Sequence, residues 1–451
     1  MSRSSFSRLV VLVCLFVVLA AWLPAPLAAA QEPTAPGAAP ARAPSPAPEK
    51  KEVKGFTLSP EKYQQAIAYR RARYWHHFLG FAYGVLVLLV VLRLGWAPRF
   101  RDWAERVSGR RFLQVIVYTP LLLLTLAVLG LPSDLYGQWL SLKYEQSVQS
   151  WPSWFWDWTK GQLIGFVIGI VFIWILYGVI RRSPRRWWLY FWLASLPILI
   201  FLLFLAPLVI QPLFFKFEPL EKTQPQLVPE IEKVVARGGL TIPRERMFEM
   251  KASEKMKAVN AYVTGFGASK RVVFWDTTLQ KMTPGQALFV FGHEMGHYVL
   301  GHIPKLIATI AGTLLVFFFL GYQLLGRTLG RWGAGWGIRG VDDYASLPVL
   351  LLLLSLFGFL ADPATNTISR HYEHQADIYG LEVIHGIVPD SAQEAGQAFQ
   401  VLGEINLADP EPSTFIKIWL YDHPPLTERI VFAQTYDPWG KGEKPEFVPA
   451  Q

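Results

Sequence analysis

Phe291-Gly-His-Glu-Met-Gly-His297, set just ahead of the apolar run Leu306–Leu325, decides how this chain is read. Two histidines four apart on a helix share one face, one turn from each other. Their imidazoles can grip one Zn²⁺ from the same side, and the glutamate beside the first can take a proton from metal-bound water. The motif is short, and a buried polar helix face without metal is its other reading.

A catalytic zinc needs three protein ligands and one open position. His293 and His297 supply two. The third is sought in Asn366-Thr-Ile-Ser-Arg-His-Tyr-Glu-His-Gln-Ala-Asp377, where Glu373 and Asp377 stand four apart on one helical face. Glu373 can ligate the metal, and Asp377 one turn on can accept the free N–H of a ligand histidine. Solvated helix charges are the alternative. A third stretch, His423-Pro-Pro-Leu-Thr-Glu-Arg429, reads by itself as a surface turn. Two zinc patterns are excluded by spacing. A metzincin would place a third histidine at the position of Ile303, and His302 reads as a capping or packing residue. A site-2 protease would bury the motif inside a span, whereas here the motif precedes one.

The three stretches together resemble the type I CAAX prenyl proteases, integral-membrane zinc endopeptidases. H-E-x-x-H, N-x-x-S-R-x-x-E-x-x-x-D and H-P-x-x-x-x-R are all present in order. Pro212–Leu220, Asn260-Ala-Tyr262, Arg271–Leu279 and Ser59–Tyr63 through Tyr74 extend the likeness over about Phe56 to Tyr436. The resemblance implies one Zn²⁺ per chain on His293, His297 and Glu373, with Glu294 as general base. It implies that His423 and Arg429 stabilise the oxyanion and that Asp377, Asn366 and Arg370 support the site. It also implies that Asn260, Ala261 and Tyr262 offer a strand edge to an extended substrate, although Asn260 also fits a plain turn.

Composition agrees with a membrane protein. Of 451 residues 52% are apolar and only 17% charged. The formal charge of +9 comes largely from arginines in short loops between apolar runs, which points to membrane topology and away from nucleic acid. Arg3 and Arg8, the apolar Leu9–Leu23 and Ala28-Ala-Ala30 read as a cleaved leader or, alternatively, a first span. The single cysteine, Cys14, lies inside it, so the remainder has neither disulfides nor cysteine ligands. Residues 31–55 read as a Pro/Ala-rich linker.

Six apolar runs follow: Phe78–Leu94, Phe112–Leu131, Gly161–Ile180, Trp187–Ile210, Leu306–Leu325 and Tyr344–Ala361. Each is about long enough to cross ~30 Å of hydrocarbon. The expected division is an N-terminal membrane domain of four spans (56–211), a catalytic segment (212–305), two further spans (306–361), a C-terminal helical segment (362–440) and a tail (441–451). Val228–Arg237 has helical period, Lys257–Thr264 and Lys270–Trp275 suggest a hairpin, and Thr283-Pro284 starts the motif helix. The fold class expected is a polytopic membrane α-helical bundle enclosing a cavity, with a small α+β zincin-like domain.

Arginine-rich loops at Ala97–Arg111, Arg181–Arg186 and Gly326–Gly340 fall on one side if every run is one span. That side is cytoplasmic by the positive-inside rule. The active site then faces the periplasm or exterior of a bacterial-type inner or plasma membrane. The function expected is hydrolysis of membrane-associated peptide or protein substrates within the lipid bilayer's reach. A catalytically silent chaperone or scaffold is the alternative, disfavoured by the intact Glu294.

Overall fold

The computed structural model describes residues 55–265 and 270–449. The leader, Cys14, the Pro/Ala-rich linker and most of the Gly265-Phe-Gly267 turn lie outside the described residues. The helices in chain order are α1 (Pro60–Arg93), α2 (Trp96–Val107), α3 (Arg111–Lys143), α4 (Trp151–Arg182), α5 (Trp187–Leu205), α6 (Leu220–Thr223), α7 (Leu227–Arg237), α8 (Asp276–Lys281), α9 (Pro284–Val299), α10 (His302–Thr328), α11 (Leu347–Ile384), α12 (Ser391–Ile405), α13 (Thr414–Leu420) and α14 (Leu426–Thr435). Among the described residues, α1, α3, α4, α5, α10 and α11 contain the six helices long and apolar enough to cross a membrane. Their outer faces are apolar and open: Val167 on α4, Phe201 on α5 and Val316 on α10 are 65%, 61% and 53% exposed. Such surface suits hydrocarbon, in which helices keep their backbone hydrogen bonds internal.

Two of these helices outrun their apolar runs. The polar first half of α1 docks on the chain after α12, with Arg70 Nε and Nη2 each 2.8 Å from the carbonyls of Leu407 and Asn406. The last run and the expected second site helix are one unbroken helix, α11, 38 residues long with Pro363 inside it. A membrane span thus continues directly into the site.

The four strands are β1 (Phe217–Pro219), β2 (Met247–Met250), β3 (Ala261–Thr264) and β4 (Arg271–Trp275), in the order β1-β2-β4-β3. β3 and β4 pair antiparallel, as the hairpin reading expects, with Ala261 opposite Phe274. β2 runs parallel to β4. The sheet packs on α9 through a buried core that includes Phe274, Phe289 and Phe291.

α9 starts with a capping box. Thr283 Oγ1 accepts from the Gln286 N–H at 3.2 Å, and Gln286 Oε1 accepts from the Thr283 N–H at 3.2 Å. Glycines then let α9 lie close against α11. A Cβ at Gly292 would stand 2.8 Å from Val383 Cγ1, and one at Gly380 would stand 3.0 Å from the His293 nitrogen. Only the missing side chains allow this approach, which brings the motif helix and the Glu373 helix into register.

The three arginine-rich loops gather at the other end. Arg101 is buried against Asp343, Arg339 Nη1 is 2.8 Å from Glu105, and Arg181 Nη1 donates to the Tyr344 hydroxyl at 3.0 Å. They share one side, as the spacing of the spans requires.

Candidate metal centre

His293 and His297 on α9 face Glu373 on α11, and one donor atom from each lies within 4.8 Å of the others. The two Nε2 atoms are 3.2 Å apart, and each is 3.3 Å from a Glu373 oxygen. Glu373 Oε2 is buried and makes no hydrogen bond among the described residues, although His423 Nε2 stands 3.1 Å from it. These atoms satisfy one another poorly and converge on one point. Burial disfavours charge at His293, yet the nearby Asp377 and Glu373 carboxylates prevail and raise its pKa to about 10. The cluster therefore attracts a cation. Two imidazoles and a carboxylate with a fourth direction open fit a catalytic divalent metal.

Around this group the structure arranges the remaining expected residues unevenly. Asp377 Oδ1 is 2.9 Å from His293 Nδ1, on the side away from Glu373. Arg429 forms a two-pronged pair with Asp377, Nε to Oδ2 at 2.9 Å and Nη2 to Oδ1 at 2.6 Å. Its guanidinium also lies 4.2 Å over the Phe399 ring. Arg429 thus packs beside His293, 4.0 Å from Glu373 Oε2, and also lines the cavity next to Glu294.

Glu294 is half-buried and lines a cavity of about 350 Å³ with His293, Asn260, Tyr421 and His423. Desolvation pushes its carboxyl above the usual carboxylate range, against the pull of His293 and His297. His423 reaches the open side of the group from a loop. Asp422, which the sequence reading passed over, accepts from His423 Nδ1 at 2.8 Å, and that hydrogen bond holds the Asp422 carboxyl below its ordinary range. Its only signal was adjacency to the histidine.

Asn366 and Arg370 tie α11 to that loop. Asn366 Nδ2 donates to the Trp419 carbonyl at 2.6 Å, and Arg370 Nη1 donates to Lys417 O at 2.9 Å and also to Tyr421 O. Asn260 leads into β3, the end strand of the sheet, and its N–H donates to Thr278 Oγ1 at 2.7 Å. The Tyr262 hydroxyl donates to Gln211 Oε1 at 2.7 Å.

The family of this chain follows from comparison with known proteins. The family model described as Peptidase family M48 matches residues 221–437, and the one described as CAAX prenyl protease N-terminal, five membrane helices, matches residues 43–216. A Bacillus subtilis protein described as uncharacterized metalloprotease YhfN is 35% identical over 380 residues, covering 84% of this chain and 86% of the relative. The chain belongs to peptidase family M48.

Other members agree. The human CAAX prenyl protease 1 homolog is 26% identical, over 84% of this chain and 88% of its own. The crystal structure of Ste24p from S. mikatae shares the fold, with a TM-score of 0.71 at 23% identity over 83% of this chain and 88% of that one. The chain is therefore a multi-pass membrane metalloendopeptidase with the fold expected from its sequence. Within the segment matched by the N-terminal model, the described residues hold four candidate spans and the short α2. A second cavity, of about 340 Å³, lies on the other side of this M48 site, where α10 and α11 line it with Ile303, Leu306, Ile310, Leu314 and Ile368.

Proposed function

We propose that this M48 peptidase is a zinc endopeptidase acting on membrane-associated peptides, with His293, His297 and Glu373 holding one Zn²⁺. Bound there, zinc would supply Lewis-acid polarisation of the scissile carbonyl and a water acidic enough to react near neutral pH. Glu294 takes the proton of the attacking water and returns it to the leaving amine, a role suited to a carboxyl whose pKa is raised. His423, held at Nδ1 by Asp422, stabilises the developing oxyanion. Arg429 is a positioning residue that acts through Asp377 on His293. The extended substrate adds to the β3 edge at Asn260, Ala261 and Tyr262.

The observation that carries this reading is the convergence of the three donor atoms within 4.8 Å, beside the cavity that Glu294 lines. Detergent-purified protein is expected to cleave an internally quenched apolar peptide, to lose that activity on metal removal, and to regain it with one equivalent of Zn²⁺. Full activity in the metal-depleted protein would overturn the reading.

The active site faces the periplasm or exterior, because the opposite end carries the arginine-rich loops. In a bacterial host, Gln434→Cys on exposed α14 is expected to react with an impermeant maleimide in intact cells, and Arg185→Cys only after lysis. The reverse pattern would put the site in the cytoplasm. An outward site favours peptides of membrane or envelope proteins as substrates.

A further inference from the structure

The two ligand histidines are supported in different ways. His293 leans on a carboxylate, Asp377, 2.9 Å from its Nδ1. Among the described residues, no carboxylate stands behind Nδ1 of His297. Its Nδ1 lies 3.0 Å from Nδ1 of His302, and Nε2 of His302 lies 3.1 Å from Gln375 Oε1. His302 is buried at the start of α10, and its ring stacks on Tyr372 with centroids 4.8 Å apart. Tyr372 and Gln375 are three residues apart on α11, so they share the face next to Glu373.

Each link in this line needs one donor and one acceptor, and that fixes the protons. His297 can ligate through Nε2 only if Nε2 carries a bare lone pair, so its proton sits on Nδ1. That N–H must meet an acceptor, so Nδ1 of His302 is bare and the proton of His302 sits on Nε2. The amide oxygen of Gln375 accepts it. Turning the amide over would reverse the line and put a proton on His297 Nε2, facing His293 Nε2 at 3.2 Å and Glu373 at 3.3 Å. We infer that His302 and Gln375 are positioning residues that hold His297 in its metal-binding tautomer. A neutral relay does this without adding another buried anion beside Glu373 and Asp377. The inference rests on the proposal that His297 is a ligand.

The test is zinc affinity of the full-length purified chain, measured by chelator competition. His302→Phe keeps an aromatic ring over Tyr372 but removes the acceptor, and it should weaken zinc binding about 10–100-fold, as loss of a ligand's supporting hydrogen bond does. His302→Gln restores a carbonyl acceptor and should recover most of that affinity. Gln375→Leu should weaken binding in the same direction and does not depend on the fold tolerating a change at His302. Wild-type affinity in both His302→Phe and Gln375→Leu, with zinc lost in His297→Ala, would overturn the relay and leave the ligand set standing. Wild-type affinity in His297→Ala would overturn the ligand set itself.

Discussion

Glu294→Gln is expected to bind zinc like the native chain and to hydrolyse peptides about 10²–10⁴-fold more slowly, the usual loss when a general base is removed. Gln has nearly the same shape, so the helix and the two histidines flanking it on α9 should stay in place. It cannot accept the proton of an attacking water. The comparison is therefore clean: metal content and melting behaviour unchanged, kcat collapsed. Mass spectrometry of membranes carrying either form should then show which peptides disappear with Glu294. A Glu294→Gln protein that cleaves as fast as the native chain would remove the base from the mechanism.

Arg429→Met is expected to destabilise the folded protein by about 3–5 kcal/mol, because it breaks a buried ion pair from one side. Arg429 is 8% exposed and Asp377 1%. The substitution removes the guanidinium that pairs with both oxygens of the Asp377 carboxylate. Combining it with Asp377→Asn should recover much of the loss, since no unpaired charge then remains. Thermal unfolding followed by tryptophan fluorescence in detergent measures both variants. A single variant as stable as the native chain would show that the pair contributes little to holding the site together.

The helical membrane frame was legible because each apolar run must meet the same hydrocarbon thickness, and all six runs overlap long helices. The continuity of α11 was not legible. Its composition changes at Asp362 and suggests a boundary, yet a helix in membrane and a helix in water have the same backbone, and nothing in Ala361-Asp-Pro-Ala-Thr365 breaks it. The β3–β4 pairing was readable from alternation and nearby glycines. The parallel pairing of β2 with β4 was not, since strands of four and five residues joined through a long connection carry little local signal.

At the site, the four-residue spacings of His293 and His297 and of Glu373 and Asp377 put each pair on one face of its helix. The close approach of those faces depends on Gly292, Gly296 and Gly380, whose meaning appears only once the helices meet. Arg429 shows where spacing stops. A residue six positions after His423 can lie on either side of the metal ligands, and pairing with the buried Asp377 decides the side. His302 was visible as a histidine but not as a partner of His297, because that contact depends on the turn at Gly301 that starts α10.

Anomalous diffraction from crystals of the purified chain, collected above and below the zinc absorption edge, tests the metalloendopeptidase reading most directly. One peak is expected per chain, bounded by His293 Nε2, His297 Nε2 and the Glu373 carboxylate, and absent in Glu373→Ala. A zinc peak elsewhere in an active protein, or hydrolysis by crystals with no peak at these three residues, would contradict it.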